Sequence, residues 1–302
     1  MKLLTLNTHS WLEVHQLHKI RTLAKFIVDH EIDVIALQEV NQLSDEPPTD
    51  TPVNFLPVCE HPLKDSNFGL FLMRYLAELT PQPYTFSWVD SHEGWGLYDE
   101  GLMMITRLPV LSAHRLVVSH EYYTFHDVFR RCALAFEIAT EHGPAWFVSV
   151  HMNWWVMHET ALFEHDFASL DQQIRRLADD APIFLLGDFN NDAAIADEGY
   201  AQIRSLGWAD AFDHARQREG EFTVHKSIAG WEEAIRTMRL DYIFSSHPIP
   251  FDSHRVVFAD NTEAAISDHS GLIGEFDPAQ LRQTTPQPAS SVVTVSALEQ
   301  GE

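Results

Sequence analysis

The feature that most constrains the fold is the stretch IFLLGDFNND at residues 183–192. Its first four residues form a short apolar run, which is typical of a β-strand covered on both faces. After one glycine the chain presents two carboxylates and two amides, at Asp188, Asn190, Asn191 and Asp192. Asp and Asn favour turns, so a turn is the commonest explanation of such a strand exit when it stands alone. The alternative is a functional site at the end of a buried strand.

Other strand-like segments of the chain carry similar polar groups at their ends. Carboxylate, amide and imidazole groups gathered at several strand ends are what a divalent-metal phosphoester site requires. Each of these residues, taken alone, also has a simpler explanation: it could end a strand, lie on the surface, or be a hydrogen-bonded histidine of the core. These residues are Asn7 after LLTLN, Glu39 in IALQEV, His151 and Asn153 in VSVHMN, Asp241 in RLDYIF, and Asp268 and His269 in ISDHS.

Apolar spacing along the chain predicts one mixed α/β domain over residues 1–277, with strands in two layers and helices outside. A proline-rich loop is expected at 41–66, and a disordered tail at 278–302 because that segment is polar and poor in aromatic residues. Helices are predicted at 17–28, 67–79, 163–177 and 198–206. Strands are predicted at 3–7, 33–40, 84–90, 101–107, 110–118, 130–138, 145–152, 183–190, 239–246, 253–259 and 271–277.

Composition narrows the partners that such a domain would accept. The chain has 302 residues and a formal net charge of -24, which disfavours nucleic acid because polyanion binding depends on Lys and Arg. The only two cysteines, Cys59 and Cys132, form no metal or disulfide pattern, so we expect a reducing compartment. No secretion signal and no apolar run of membrane-spanning length are apparent. We therefore expect a cytoplasmic protein with no membrane contact.

Taken in order, the motifs LNTH, LQEV, EGLMMITRLPV, SVH, GDFN, LDYIF and SDH resemble the endonuclease/exonuclease/phosphatase family. That family contains pancreatic deoxyribonuclease, apurinic endonucleases and inositol phosphatases. The resemblance covers about residues 3–277. It implies a four-layer α/β sandwich, in which two mixed or antiparallel β-sheets pack together and are flanked by helices. It also implies phosphoester hydrolysis, although motifs of this kind do not name the substrate.

The resemblance implies a role for each motif residue. Glu39, with Asn7 and Asp268 nearby, would hold Mg²⁺ or Mn²⁺. Asp188 and Asn190 would position the attacking water and a phosphate oxygen.

Two carboxylate–imidazole pairs are also implied by the resemblance. Glu100 would orient His151, and Asp241 would orient His269. These pairs would act in catalysis.

Substrate contacts are implied at a further set of positions. Arg131, or its neighbour Arg130, matches a family arginine that grips phosphate in a fork. Flat aromatic faces beside a phosphate site suit stacking on a sugar or a base. Of the adjacent Trp154 and Trp155, one is expected to face the site, because neighbouring strand residues point to opposite faces. The remaining candidate contacts are Tyr98, Asn153 and Trp11, with Trp95 and Trp231 expected near the edges of the site.

Three functions remain open on the sequence. The chain most resembles a bacterial subgroup of sugar phosphatases that includes maltose 6'-phosphate phosphatase, so a small sugar phosphate is the favoured substrate. A metal-dependent nuclease of the same fold is the alternative. A binding module with a decayed site is disfavoured, because every expected catalytic residue is present.

Overall fold

The computed structural model describes residues 1–231, 236–259 and 265–284. Short 3₁₀ helices span Ser10–Leu12 and Pro278–Thr284. The α-helices are α1 Gln16–Asp29, α2 Phe68–Leu79, α3 Phe163–Ala178, α4 Gly199–Ser205 and α5 Ala211–His214.

Sixteen strands are assigned within the described residues. They are β1 Lys2–Asn7, β2 Val34–Gln38, β3 Gln42–Leu43, β4 Thr85–Gly94, β5 Tyr98–Thr106, β6 Val110–Val117, β7 Cys132–Thr140, β8 Gly143–His151, β9 Val156–Met157, β10 Thr160–Ala161, β11 Ile183–Asp188, β12 Ala209–Asp210, β13 Ala215–Glu219, β14 Asp241–Ser245, β15 Phe251–Val257 and β16 Gly271–Glu275.

Two large mixed sheets are built from these strands, and a small β9–β10 hairpin stands apart. The first sheet has the order β13-β15-β16-β1-β2-β5-β3, with β4 also paired to β5. The second has the order β12-β14-β11-β8-β7-β6. The two parallel pairs that matter for the site are β1 with β2 and β8 with β11. Each of these four strands is largely apolar because both of its faces are covered.

Three apolar clusters separate four layers, which confirms the predicted sandwich. One cluster joins α1 and α2 to the outer face of the first sheet. The second fills the space between the sheets. The third joins α3 and α4 to the outer face of the second sheet. Helix α3 shows how the sequence produces this arrangement, since Phe163, Phe167, Leu170 and Ile174 recur at helical spacing and are all buried.

The structure differs from the sequence expectation in short and terminal elements. Pro278–Thr284, assigned above to a disordered tail, forms a 3₁₀ helix whose Leu281 is buried against the inter-sheet cluster. The remainder of that tail lies outside the described residues. The segment 41–66 is irregular apart from β3, as expected. Both cysteines are free thiols. No helix in the described part of the chain is long and apolar enough to cross a membrane.

Candidate active site

Strand register brings three of the predicted residues into one row. In the second sheet, Asp188 at the end of β11 lies opposite His151 of β8 on one side. On its other side Asp188 lies opposite Asp241, the first residue of β14. Residues in register across neighbouring strands lie close enough for their side chains to interact. The polar exit of IFLLGDFNND is therefore the centre of a side-chain cluster as well as the end of a strand.

The same strand faces change from apolar to polar towards this edge. Leu186 and Ile243 point into the inter-sheet cluster, and Asp188 and Asp241 are two residues further on the same faces. A buried layer of neutral polar groups lies between the apolar core and the ionisable groups. In that layer Gln38 Nε2 donates to Ser149 Oγ at 3.1 Å.

Asn7 links the two sheets at the centre of the site. Its side-chain nitrogen donates to Glu39 Oε1 at 2.9 Å and to Asp188 Oδ2 at 3.1 Å. Glu39 itself has a left-handed backbone with a φ of 53°. A non-glycine residue in that region is held there by its surroundings, and such residues cluster at functional sites.

The two predicted carboxylate–imidazole pairs flank Asp188 but differ in closeness. His269 Nδ1 lies 2.9 Å from Asp241 Oδ2, a well-formed hydrogen bond. His151 Nδ1 lies 3.9 Å from Glu100 Oε1, a looser approach. Both imidazoles direct Nε2 to the same oxygen, Asp188 Oδ2, at 3.7 Å.

Burial and neighbouring charges shift the acid–base properties of these groups. Burial raises the pKa of Asp188 to about 7, although His269 partly opposes the shift. Burial, with Glu39 adding a like charge, raises the pKa of Glu100 to about 8. Burial and the nearby Arg131 hold the pKa of His151 well below its usual value. Burial would also lower the pKa of His269, but Asp241 and Asp188 raise it well above the usual value. The structure therefore favours a neutral His151 and a charged His269 at neutral pH.

The carboxylates of Glu39 and Asp268 are chemically suited to a divalent cation of the magnesium type. Burial, followed by the like charge of Asp268, raises the pKa of Glu39, so a bound cation would offset the cost of its buried negative charge. Carboxylate and amide oxygens are the ligands that Mg²⁺ and Mn²⁺ prefer. Two groups of possible ligand atoms lie within 4.8 Å of one another among the described residues, one formed by Asp188, Asp241 and His269 and the other by His9, Glu13 and Asp268. In the latter group, Lys19 Nζ already pairs with Glu13 at 2.5 Å.

Arg131, and not Arg130, faces the site. Arg130 turns away and binds Glu60 Oε2 at 2.7 Å and the Ser91 carbonyl at 2.7 Å. Arg131 is 2% exposed, and no carboxylate oxygen of the described residues lies within 4.0 Å of its guanidinium nitrogens. Its Nε also lacks a hydrogen-bond partner within the described structure.

A pocket of about 230 Å³ opens above these groups. Most of the catalytic and metal-site candidates line its polar floor, whereas Asn7 and Asp241 are fully buried and do not line it. The rim includes the exposed Trp95. The lining residues are His9, Glu39, His92, Gly94, Trp95, Glu100, Val128, Arg131, His151, Trp154, Asp188, Asn190, Ile228, Ala229, Asp268 and His269.

A hydrogen bond between Asn190 and Trp231 connects the pocket to its roof, which is the segment around Ile228 and Ala229. Asn190 has a left-handed φ of 48°, and its backbone nitrogen donates to Asp188 Oδ1 at 2.8 Å. Its side-chain oxygen accepts a hydrogen bond from Trp231 Nε1 at 3.3 Å. Trp231 packs against a small apolar cluster that includes Ile228, and this contact supports the roof segment.

Four predicted substrate contacts lie away from the pocket. Asn153 is fully buried behind it and donates to the Phe129 carbonyl at 2.8 Å and to Asp166 at 2.7 Å. Trp155 points away from Trp154 and packs against the helical core. Trp11 and Tyr98 line a separate, neighbouring depression.

His9, His92 and the roof residues Ile228 and Ala229 also line the pocket but were not predicted from the sequence. His9 follows Asn7 within the LNTH motif, so its position was the available signal. His92 is placed by a β-bulge, an irregularity that the apolar pattern of β4 does not reveal.

Comparison with known proteins agrees with this geometry. The family model described as "Endonuclease/Exonuclease/phosphatase family" matches residues 15–269. An endonuclease/exonuclease/phosphatase family protein from Leptotrichia buccalis is 30% identical, with a TM-score of 0.81, covering 92% of this chain and 99% of its own. No curated protein matches.

Two solved structures of lower identity share the fold. A mannosyl-6-phosphatase of Bacteroides thetaiotaomicron is 14% identical with a TM-score of 0.63, covering 91% of this chain and 98% of its own. TDP2 of D. rerio, complexed with a single-strand DNA product, is 15% identical with a TM-score of 0.59, and the match covers 91% of this chain and 97% of the TDP2 chain.

Proposed function

The chain belongs to the endonuclease/exonuclease/phosphatase family, and we propose that it is a divalent-metal-dependent phosphatase that releases inorganic phosphate from a sugar phosphate. The family comprises hydrolases that act as phosphatases or nucleases. Its members generally use divalent metals.

The observation that carries the proposal is Arg131, a buried arginine that has no ion pair among the described residues and lines a small pocket. Arg131 is buried with no carboxylate oxygen of the described residues within 4.0 Å, and its Nε has no hydrogen-bond partner there, so the guanidinium favours binding of an anion. A terminal phosphate supplies two or more oxygens in the geometry that an arginine fork accepts. The pocket volume of about 230 Å³ suits a small ligand better than a duplex.

In this proposal Glu39 and Asp268, with Asn7, hold Mg²⁺ or Mn²⁺. A divalent cation at such a site withdraws charge from the phosphoryl oxygens and stabilises the transition state.

The protein groups supply the proton transfers. Asp188, whose pKa of about 7 suits a general base near neutrality, takes a proton from the attacking water. The bond from that water oxygen to phosphorus forms as the bond from phosphorus to the sugar oxygen breaks. His269, charged and fixed by Asp241, donates a hydrogen bond to a phosphoryl oxygen.

The leaving sugar oxygen takes its proton from the Glu100–His151 pair. The raised pKa of Glu100, about 8, keeps a proton on this pair at neutral pH. As His151 Nε2 gives its proton to the sugar oxygen, His151 Nδ1 takes the proton of Glu100, so the imidazole stays neutral. The products are the sugar and inorganic phosphate.

Two features favour a sugar over a nucleic acid as the group that carries the phosphate. The formal charge of -24 repels a long polyanion outside the metal site. The Trp154 indole lies on the pocket wall, with the Arg131 guanidinium 5.9 Å from its ring centre, and Trp95 stands at the rim. An indole beside a phosphate site suits the apolar face of a sugar ring. We propose sugar 6-phosphates as substrates, including maltose 6'-phosphate.

The test compares Arg131→Gln with the matched control Arg130→Gln. Phosphate release from glucose, mannose and maltose 6-phosphates is measured with Mg²⁺ present. We expect Arg131→Gln to reduce kcat/KM by about 10-fold or more, because it removes a charge-assisted contact, and Arg130→Gln to leave it close to wild type. Trp154→Ala should raise KM more than it lowers kcat, since stacking is largely uniform binding. Equal kinetics of the two arginine variants would contradict the assignment of the phosphate site.

A further inference from the structure

His92 occupies the site through a β-bulge at the end of β4. The register pairs Asp90 with Gly101 and His92 with Glu100, so Ser91 is an extra residue in this strand. A bulge re-aims the side chains that follow it. His92 is 3% exposed and lines the catalytic pocket opposite Glu100.

The His92 ring lies between Arg131 and Glu100, and its tautomer decides which ring nitrogen accepts and which donates. His92 Nδ1 lies 3.1 Å from Arg131 Nη1. A guanidinium can only donate, so this contact is a hydrogen bond when Nδ1 accepts and the ring proton resides on Nε2, which is the tautomer that we assign. Burial, followed by the charges of Arg131 and Arg130, holds the pKa of His92 well below its usual value, which is consistent with a neutral ring. His92 Nε2 lies 3.5 Å from Glu100 Oε1.

Among the described residues, His92 is the one side chain that hydrogen-bonds the Arg131 guanidinium, and it also adjoins Glu100. The other hydrogen bonds of Arg131 Nη1 reach only the carbonyls of Val128 and Arg130, at 2.8 and 3.3 Å. Glu100 Oε1 lies between His92 and His151, at 3.5 Å from one ring and 3.9 Å from the other. One imidazole therefore adjoins both the phosphate-binding arginine and the carboxylate that faces His151.

We propose that His92 is a positioning residue, in which Nδ1 holds the Arg131 guanidinium towards the phosphate and Nε2 holds Glu100 towards His151. The proposal rests on the phosphatase function proposed above. The two ring nitrogens then have separable effects. Nδ1 affects phosphate binding through Arg131, and Nε2 affects proton transfer through Glu100.

Two substitutions separate these effects. Asn places its side-chain oxygen as many bonds from Cβ as histidine places Nδ1, so His92→Asn keeps the acceptor for Arg131. Gln places its amide nitrogen as many bonds from Cβ as histidine places Nε2, so His92→Gln keeps the donor for Glu100. His92→Leu removes both.

The experiment measures KM and kcat for phosphate release, and the Kd of inorganic phosphate by calorimetry, all with Mg²⁺. We expect His92→Leu to raise KM and Kd and to lower kcat, each by about 10-fold, as for loss of a hydrogen bond to a charged group. His92→Asn should restore KM and Kd towards wild type, whereas His92→Gln should restore kcat. The matched control is His254→Leu, a second buried histidine outside the site, which should change thermal stability without changing KM or kcat.

The outcomes distinguish this proposal from the proposed function. If wild type is active and the three His92 variants share one kinetic pattern, whether unimpaired or equally impaired, the positioning role is wrong. If wild type releases no phosphate but Kd follows the expected order, the phosphatase function is wrong and the Arg131 contact stands. If wild type releases no phosphate and Kd is unchanged in every variant, both are overturned.

Discussion

Gly187 gives the most specific structural prediction, because it lies directly before Asp188 in the parallel pair of β11 and β8. Its φ is +155°, and a Cβ atom built there would lie 1.9 Å from the Val150 carbonyl oxygen. Val150 precedes His151, so the close approach of the two backbones sets the distance between His151 and Asp188. The glycine of the GDFN motif is therefore explained by backbone packing.

Gly187→Ala should move one strand away from the other. Real Cβ contacts are rarely shorter than 3.0 Å, so the clash at 1.9 Å requires a shift of about 1.1 Å, the difference between the two distances. A misplacement of about 1 Å at a reacting centre lowers the rate by about 10²-fold. Overpacking of this kind costs about 1–3 kcal/mol of folding free energy, which lowers Tm by several degrees. Phosphate release and calorimetric melting measure the two effects.

Gly143→Ala is the matched control for the backbone strain. Gly143 lies in the same sheet with a φ of +110°, but nothing lies within 4 Å of a Cβ atom there. It should lose stability from backbone strain alone and keep its kcat. A Gly187→Ala protein with the kcat and Tm of wild type would refute the reasoning.

Three further predictions concern the metal, the histidines and acid stability. A chelator should abolish phosphate release, and Mg²⁺ or Mn²⁺ should restore it. The Glu39→Gln variant should need a higher metal concentration for the same activity while its Tm is unchanged. Turnover in excess chelator would contradict this prediction. His151→Ala and His269→Ala should each lower kcat by about 10²–10⁴-fold. Asp241→Asn should lower kcat by less, since it removes only the residue that orients His269. A near-wild-type kcat in either alanine variant would show that the role assigned to that histidine is wrong. Burial, then Arg239 and Arg218, lowers the pKa of His254 to about 3, so only the unfolded chain gains this proton below about pH 6.5 and stability falls with falling pH. By pH 5 the loss is about 2 kcal/mol, and His254→Leu should show a correspondingly shallower fall of Tm between pH 7 and 5; identical slopes would contradict the buried neutral ring.

Site residues that lie at the ends of strands could be predicted from the sequence. His151, Asp188 and Asp241 follow from the fold, because each terminates or begins an apolar strand and the register aligns them. The long helices were predicted for the same reason, since a strongly periodic apolar face leaves few alternatives.

The sequence did not predict the features that depend on irregular backbone. His92 depends on one extra residue in β4, and the pocket roof depends on the segment around Ile228, which follows no helix or strand period. The adjacent Trp154 and Trp155 were equivalent on the sequence until tertiary packing decided which one faces the pocket. Arg130 and Arg131 were ambiguous for the same reason.

The most direct test of the central claim is a side-by-side assay of metal-loaded protein on two substrate classes. Release of inorganic phosphate from sugar 6-phosphates is measured beside cleavage of duplex and single-stranded DNA, at equal enzyme, Mg²⁺ and ionic strength. The pocket of about 230 Å³, with the buried Arg131 in its lining and a net charge of -24 on the chain, predicts rapid phosphate release and little DNA cleavage. Rapid DNA cleavage without phosphate release from any sugar phosphate would contradict the account and assign the site to a nuclease.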